Sequence, residues 1–515
     1  MKKIIIQSFI IVSLLISSQV YAATYYIDYE TGSDANNGLS KSTPWKRAPG
    51  MQGCSANCAA YETAHNSSDT TGAGNSFLFK GGVTWPNTVM SWDWNHGGGT
   101  KGNPITFGVD ETWYTGGSWT RPIFDAENAA ITPDPVTSNR TMIRFYNGGS
   151  GYFVVDNFEI TGLAQLDDTT GIYTMLLMQT RNFEVKNCYF HGWSHGGTAT
   201  KERSHAIMSN LLSDVDIDSS IHDCVIDGSD TTKDMLRAYK GSAGHFYNNY
   251  VRDVYNGMIS TTTYVWGNTF IDIGATFDST GHGNVVENIS AQLIIYNNYI
   301  SGADGGANIY HTPKNGLIDY NFNNVIVNED GQAIQIGTLG LTDGIGSGIY
   351  VFNNTIQSKL DNNATPINGP SKVGDASLPF MRVYNNHLIA NNTSINFGTQ
   401  VTEGNEIESN NIGMTNAEAQ DLNYVSSSKY IFYAPNDGGV TYKEGMDLHE
   451  VAAGIPSTTI SDAAAAAILG SSCGVKYDSI NHRVVGPMVV PTPRGSKWDV
   501  GAYKIFLPPL LKPII

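Results

Sequence analysis

Between about Val155 and Asn411, apolar and polar residues alternate in short runs, and each run opens with the same phrase. An apolar or aromatic residue comes first, then one or two amides, then two to four β-formers. The phrase reads Val-Asp-Asn-Phe-Glu-Ile at 155–160, Tyr-Asn-Asn-Tyr-Val at 247–251, Trp-Gly-Asn-Thr-Phe-Ile at 266–271 and Phe-Asn-Asn-Thr-Ile at 352–356. Alternation with period two, rich in Val, Ile, Tyr, Phe and Thr, is a strand signal; the three- and four-residue spacing of an amphipathic helix is missing.

Taking the last Asn (or Asp223) of each phrase gives positions 157, 187, 223, 249, 268, 298, 324, 354, 386 and 411. Their successive differences are 30, 36, 26, 19, 30, 26, 30, 32 and 25. A repeat in this range marks a solenoid. Three short strands joined by turns use roughly 20–30 residues, and each coil stacks about 4.8 Å above the last. The prediction is an all-β parallel β-helix of ten or more coils. Asn tolerates left-handed backbone geometry at a sharp corner, and amides stacked in register can hydrogen-bond from coil to coil.

The two ends read differently. Lys2 and Lys3 precede an apolar run, Ile4 to Ile16, followed by Val20-Tyr21-Ala22, so residues 1–22 are expected to be a removable export signal. No later run is apolar enough to span a bilayer. The remainder divides into a solenoid over 23–424, with an N-terminal cap and early coils rich in Trp and Gly, and a tail over 425–515 laid back on the rod. Within that tail the alanines 463–467 predict one short helix. Trp85, Trp92, Trp94, Trp113 and Trp119 either stack on sugars or close the rod's end.

Composition fits an exported rod, secreted, periplasmic or at the cell surface, and expected to be a monomer. The 515 residues include 55 Gly, only 15% are charged, and the net charge is −17. Such acidity argues against nucleic acid, which demands a basic footprint; an acidic polysaccharide stays compatible through a local basic patch or bound Ca²⁺. Of five cysteines, Cys54 and Cys58 are close enough to bridge across a loop, and Cys188 and Cys224 share a phase in consecutive repeats.

The opening, Tyr25-Tyr-Ile-Asp-Tyr-Glu-Thr-Gly-Ser-Asp-Ala-Asn-Asn-Gly-Leu-Ser-Lys-Ser-Thr-Pro-Trp45, and the closing Arg494-Gly-Ser-Lys-Trp-Asp-Val-Gly-Ala-Tyr503 resemble secreted right-handed parallel β-helix proteins of the pectate-lyase-like superfamily. The resemblance covers most of the chain. It implies a right-handed coil and a carbohydrate-active protein, within a superfamily that holds lyases, hydrolases, epimerases and adhesins.

A solenoid interior is filled, so a polymer must lie on an outer face, contacted by the same phase of successive coils. Counting back from each phrase places His205, Arg237, Ser260, Glu287, Tyr310 and Gln335 on one outward face, with Lys240, His245, His282 and His311 beside it. His205, Tyr310 and Gln335 are read as substrate-binding. For a lyase, β-elimination from a uronate needs a neutraliser of the carboxylate, a base and a proton source: Arg237 or Ca²⁺ neutralises, Lys240, His282 or His311 is the base, and Tyr310 the acid. A glycoside hydrolase would instead pair Glu287 with Asp278 or Asp304. A metal held by His282, His311 and Glu287 and a non-catalytic glycan adhesin are the remaining alternatives. Both Glu287→Gln and His282→Ala are expected to abolish activity without unfolding the rod.

Overall fold

The computed structural model describes residues 22–502, apart from 66–71, 130, 132–138, 147–150, 166–171, 196–203, 210–217, 230–235, 275–282, 290, 339–340, 343–344, 360–361, 372–375, 423–424, 428–429, 435–439, 442, 450–461, 469, 471–472 and 489–497. The expected export signal and the end of the tail lie outside the described residues. Each coil gives one strand to each of three faces, called sheets A, B and C. Sheet A has 13 strands, from Thr24–Ile27 to Glu406–Ser409, and sheets B and C together have 22. B and C join because one strand, Val325–Ile336, turns their shared corner without a break. Pairing between coils is parallel throughout these sheets, so the chain is a right-handed parallel β-helix, the hand that parallel crossovers take.

Register explains the core. On sheet A, Phe107, Val155, Val185, Ile221, Phe246, Val265 and Ile295 occupy one inward column, a rung per coil. Each such side chain is fully buried and contributes about 1.5–3 kcal/mol.

The amide phrases turn the corner from sheet A to sheet B. Asn248, Asn297, Asn323, Asn353, Asn385 and Asn410 have positive φ, 53° at Asn248 and 57° at Asn297. Gly267 holds this corner where Asn is absent; its φ is 68°, and a β-carbon there would come 2.5 Å from Asn248 Oδ1. The residue after each corner forms the ladder. Asn249 Nδ2 donates to Asn268 Oδ1 (3.1 Å), Asn268 to Asn298 (3.0 Å), Asn298 to Asn324 (2.9 Å), Asn324 to Asn354 (3.2 Å), Asn354 to Asn386 (3.0 Å) and Asn386 to Asn411 (3.0 Å). The sequence phasing slips by one in the first three copies. Asn157, Asn187 and Asp223 are corner residues, and Phe158, Cys188 and Cys224 take the ladder position as buried apolar groups. Cys188 and Cys224 are both free thiols.

At the N-terminal end Tyr25 stacks on Trp45 (4.6 Å) and Phe77 (5.3 Å), beneath the helix Ala56–Ala64, which a Cys54–Cys58 disulfide fastens. Trp85, Trp92 and Trp94 are fully buried in the core, so they close the rod and offer no face to a sugar. At the other end the helix Asn416–Asp421, with a capping box at Thr415, follows the last sheet B strand, Ile412–Met414. The tail then returns along the rod. Leu448, Trp498 and the helix Asp462–Ile468 pack on Tyr264, Tyr296, Tyr320, Phe322 and Phe352 of sheet A, while Cys473 and Ala502 pack on Tyr299, Val325 and Val327 of sheet B.

Candidate functional site

Sheet C carries the face that the sequence singles out, but the residues divide into several columns. The first runs Leu177, Met208, Lys240, Ile259, Glu287, Tyr310, Gln335, Asn368 and Asn396, one per coil. From Met208 to Gln335 these side chains are partly exposed while their strand neighbours are buried, leaving a strip one residue wide along the rod axis. The second column, three residues earlier, holds Thr174, His205, Arg237 and Asn256. Between the columns Met175, Ala206 and Ala238, and then Leu176, Ile207 and Tyr239, both face the core. This irregular step puts Arg237 and Lys240 of one strand, Leu236–Gly241, on the same outer side.

Sequence reasoning missed two amides: Asn256, which holds Arg237 within the second column, and Asn284, which reaches across to the first. Asn256 Oδ1 accepts from Arg237 Nε (3.4 Å) and Nη2 (3.2 Å). Asn284 Nδ2 donates to Glu287 Oε2 (3.1 Å), and its Oδ1 accepts from the Ala307 amide (3.1 Å). Asn256 is fully buried and Asn284 is 3% exposed. The signal lay in the period: stepping one coil from Arg237 reaches Asn256, and one more reaches Asn284.

Electrostatics concentrate at Arg237 and Lys240. Burial pulls the Arg237 guanidinium down to about 10, against the opposing pull of Glu287. Burial also lowers Lys240, and the charge of Arg237 lowers it further. The arrangement sets a cation beside an amine drawn toward its neutral form.

Several expected members are elsewhere. His311 points into the rod and is fully buried: its Nδ1 donates to Asp319 Oδ2 (3.0 Å), and its Nε2 accepts from Asn321 Nδ2 (3.0 Å). One alternation step separates it from the outward Tyr310, so it serves neither as base nor as a metal ligand with Glu287. His205 sits in the outer column yet is 1% exposed, which removes it from substrate contact. Ser260 pairs with Gly241 and Asn288, one position past the strip, and is buried. His245 lies around the corner on sheet A, stacked on Tyr264 at 4.9 Å. Tyr310 is three coils from Lys240, roughly 14 Å, too far to protonate the oxygen leaving from the sugar that Lys240 deprotonates. Its hydroxyl rests against Gly337. His282 and Asp278 lie outside the described residues, and only the backbone of Asp304, at the start of the strand Asp304–His311, is described.

Ca²⁺ takes about 6–8 oxygen ligands. From Lys240 to Asn396 the strip holds one carboxylate, Glu287, engaged by Asn284. Among the described residues the one cluster of metal-ligating types is Cys54, Cys58 and Glu62, whose sulfurs are joined to each other. Among the described residues no group of three acidic side chains gathers on this strip.

No protein-family model matches the chain, and no curated protein does. Among solved structures the chain is similar to the pectate lyase Pel9A, with 15% identity, a TM-score of 0.37, and 94% of this chain and 98% of that one covered. It is similar to a mannuronic acid specific polysaccharide family 6 lyase from human gut microbiota, at 13%, 0.41, and 70% and 90%. A third is the GH136 lacto-N-biosidase from Eubacterium ramulus, at 10%, 0.38, and 76% and 68%. In its three parallel sheets the chain is a parallel β-helix. No helix among the described residues is long and apolar enough to cross a membrane.

Proposed function

We propose that this chain is an exported polysaccharide lyase that cleaves a uronate-containing polymer by β-elimination on the outer strip of sheet C. The observation that carries the reading is the pairing of Arg237 and Lys240 on one strand, with Lys240 lowered by burial and by Arg237. A proton next to a carboxylate becomes acidic when the carboxylate charge is neutralised. Arg237, 4% exposed and held by Asn256, supplies the neutralising positive charge from beneath the strip. Lys240, as the free amine, takes the proton from the carbon next to the carboxylate. The electron pair forms the carbon–carbon double bond as the glycosidic carbon–oxygen bond breaks, and the leaving oxygen takes a proton from water. Glu287 stands two coils along the strip and supports the charge on Arg237.

The test is a screen of acidic and neutral polysaccharides, following reducing ends and the ultraviolet absorbance of unsaturated uronate together. Both signals should rise with an acidic polymer, and Lys240→Gln should lower the rate by about 10²–10⁴-fold. Reducing ends without the absorbance would establish hydrolysis and refute the lyase reading; binding without either product would leave an adhesin.

A further inference from the structure

Charge is distributed unevenly along the strip. At the Arg237 and Lys240 coil it is cationic. Two coils on, in the same column as Lys240, stands the Glu287 carboxylate, and beyond Tyr310 come three amides, Gln335, Asn368 and Asn396. Asn396 Nδ2 donates to Asn368 Oδ1 (2.6 Å), so this end is a continuous amide surface of donors and acceptors without charge. A pyranose unit advances a polymer by about the height of one coil, roughly 4.8 Å. A chain laid along the axis therefore places its reacting uronate at Lys240 and its next-but-one sugar over Glu287. Asn284, buried and fixed by the Ala307 amide, keeps that carboxylate in place.

We infer that the substrate is a heteropolysaccharide in which single uronates are spaced by two neutral sugars, and that Glu287 excludes runs of uronate by like-charge repulsion. The inference rests on the lyase reading for which residue meets the reacting sugar. Specificity of this kind comes from a repulsive group placed against the wrong ligand, and the uncharged amides beyond it offer the donors and acceptors that sugar hydroxyls need.

The experiment compares initial rates, by unsaturated-uronate absorbance, on a homopolyuronate and on a polymer whose repeat is one uronate followed by two neutral sugars. Wild type should prefer the spaced polymer. Glu287→Gln should raise the homopolyuronate-to-spaced rate ratio by about tenfold, while Gln335→Glu, which extends the repulsion two coils further, should lower it. A wild-type preference for homopolyuronate, or a ratio that neither variant moves, overturns the inference and leaves the lyase reading standing. Cleavage of neither polymer overturns the lyase reading; affinity electrophoresis in gels holding each polymer then decides this inference by itself. Stronger retardation of Glu287→Gln than of wild type in homopolyuronate supports the charge filter, and equal retardation refutes it.

Discussion

His311 gives the sharpest separation between a histidine that builds the rod and one that does chemistry. Replacing it by Leu removes the Nδ1 donor from Asp319 Oδ2 and the Nε2 acceptor from Asn321 Nδ2, both in a fully buried site. An unpaired buried charge costs about 3–5 kcal/mol. Protonation caps that cost, since a carboxyl of ordinary pKa near 3.8 becomes neutral at pH 7 for about 4 kcal/mol, at 1.36 kcal/mol per unit. Adding an orphaned amide donor, at about 1 kcal/mol or more, gives a loss near 4–5 kcal/mol at pH 7. The sign with pH follows. Burial already raises Asp319, and without His311 its folded pKa rises further above the unfolded value, so the variant regains stability as pH falls, by up to about 1.4 kcal/mol per unit. Urea midpoints for wild type and His311→Leu at pH 7 and pH 5, with circular dichroism as probe, measure both effects. A loss below about 1 kcal/mol, or a deficit that does not shrink at pH 5, refutes the buried-pair account. Full stability with activity lost would restore His311 to the catalytic site.

Three further outcomes are expected. Asn298→Ala removes the acceptor of the buried Asn268 amide and the donor to the Val265 and Tyr296 carbonyls, at a cost of about 2–4 kcal/mol seen as a lower urea midpoint. Burial opposes the charge on His222, but Asp223 (2.7 Å) and Glu184 (3.0 Å) raise its pKa while His222 lowers that of Glu184. The clamp should thus add about 1 kcal/mol in full between Glu184's ordinary 4.5 and His222's ordinary 6.5, fading as pH falls below that window and as it rises through the raised His222 value, read as the wild-type difference from His222→Gln across pH. Lyase rate should rise with pH as Lys240 loses its proton and fall as Arg237 discharges near 10; Arg237→Gln, which removes a cation that lowers Lys240, should move the rising limb to higher pH, and EDTA should leave the rate unchanged.

The fold was legible because a solenoid writes its period into the chain. A left-handed corner admits few residues, so Asn248, Asn297, Asn323 and their successors mark each coil without knowledge of its neighbours. What failed was local phase. Phe158, Cys188 and Cys224 carry no amide in the ladder position, so the first three repeats align one residue early. On sheet C two consecutive positions, such as Ala238 and Tyr239, both face inward, and strict alternation from Arg237 cannot place Lys240 outside with it. His311 and Tyr310 differ by one residue and by the whole thickness of the sheet. Asn256 and Asn284 were missed because amides were read as corners, and a buried amide that steers an outer charge has no signature apart from its register.

Where the tail lies bears on which face works. Sheet A's outer aromatic column stacks along the rod, Tyr296 on Phe322 at 4.9 Å and Phe322 on Phe352 at 5.0 Å, and these ring edges are the apolar surface that Leu448, Ile468 and Trp498 cover. Sheet B is covered in turn: Tyr477 stacks on Tyr250 at 4.4 Å, His482 on Tyr189 at 4.4 Å, and Cys473 and Ala502 fill in against Val325 and Val327. The tail's described apolar contacts thus go to aromatic and aliphatic patches on the outside of two faces. Sheet C's strip is different in kind: Lys240, Glu287, Tyr310, Gln335, Asn368 and Asn396 would leave charges and amides unsatisfied under an apolar cover. Such a face suits a hydroxyl-rich polymer, which can return a hydrogen bond at each polar coil it crosses.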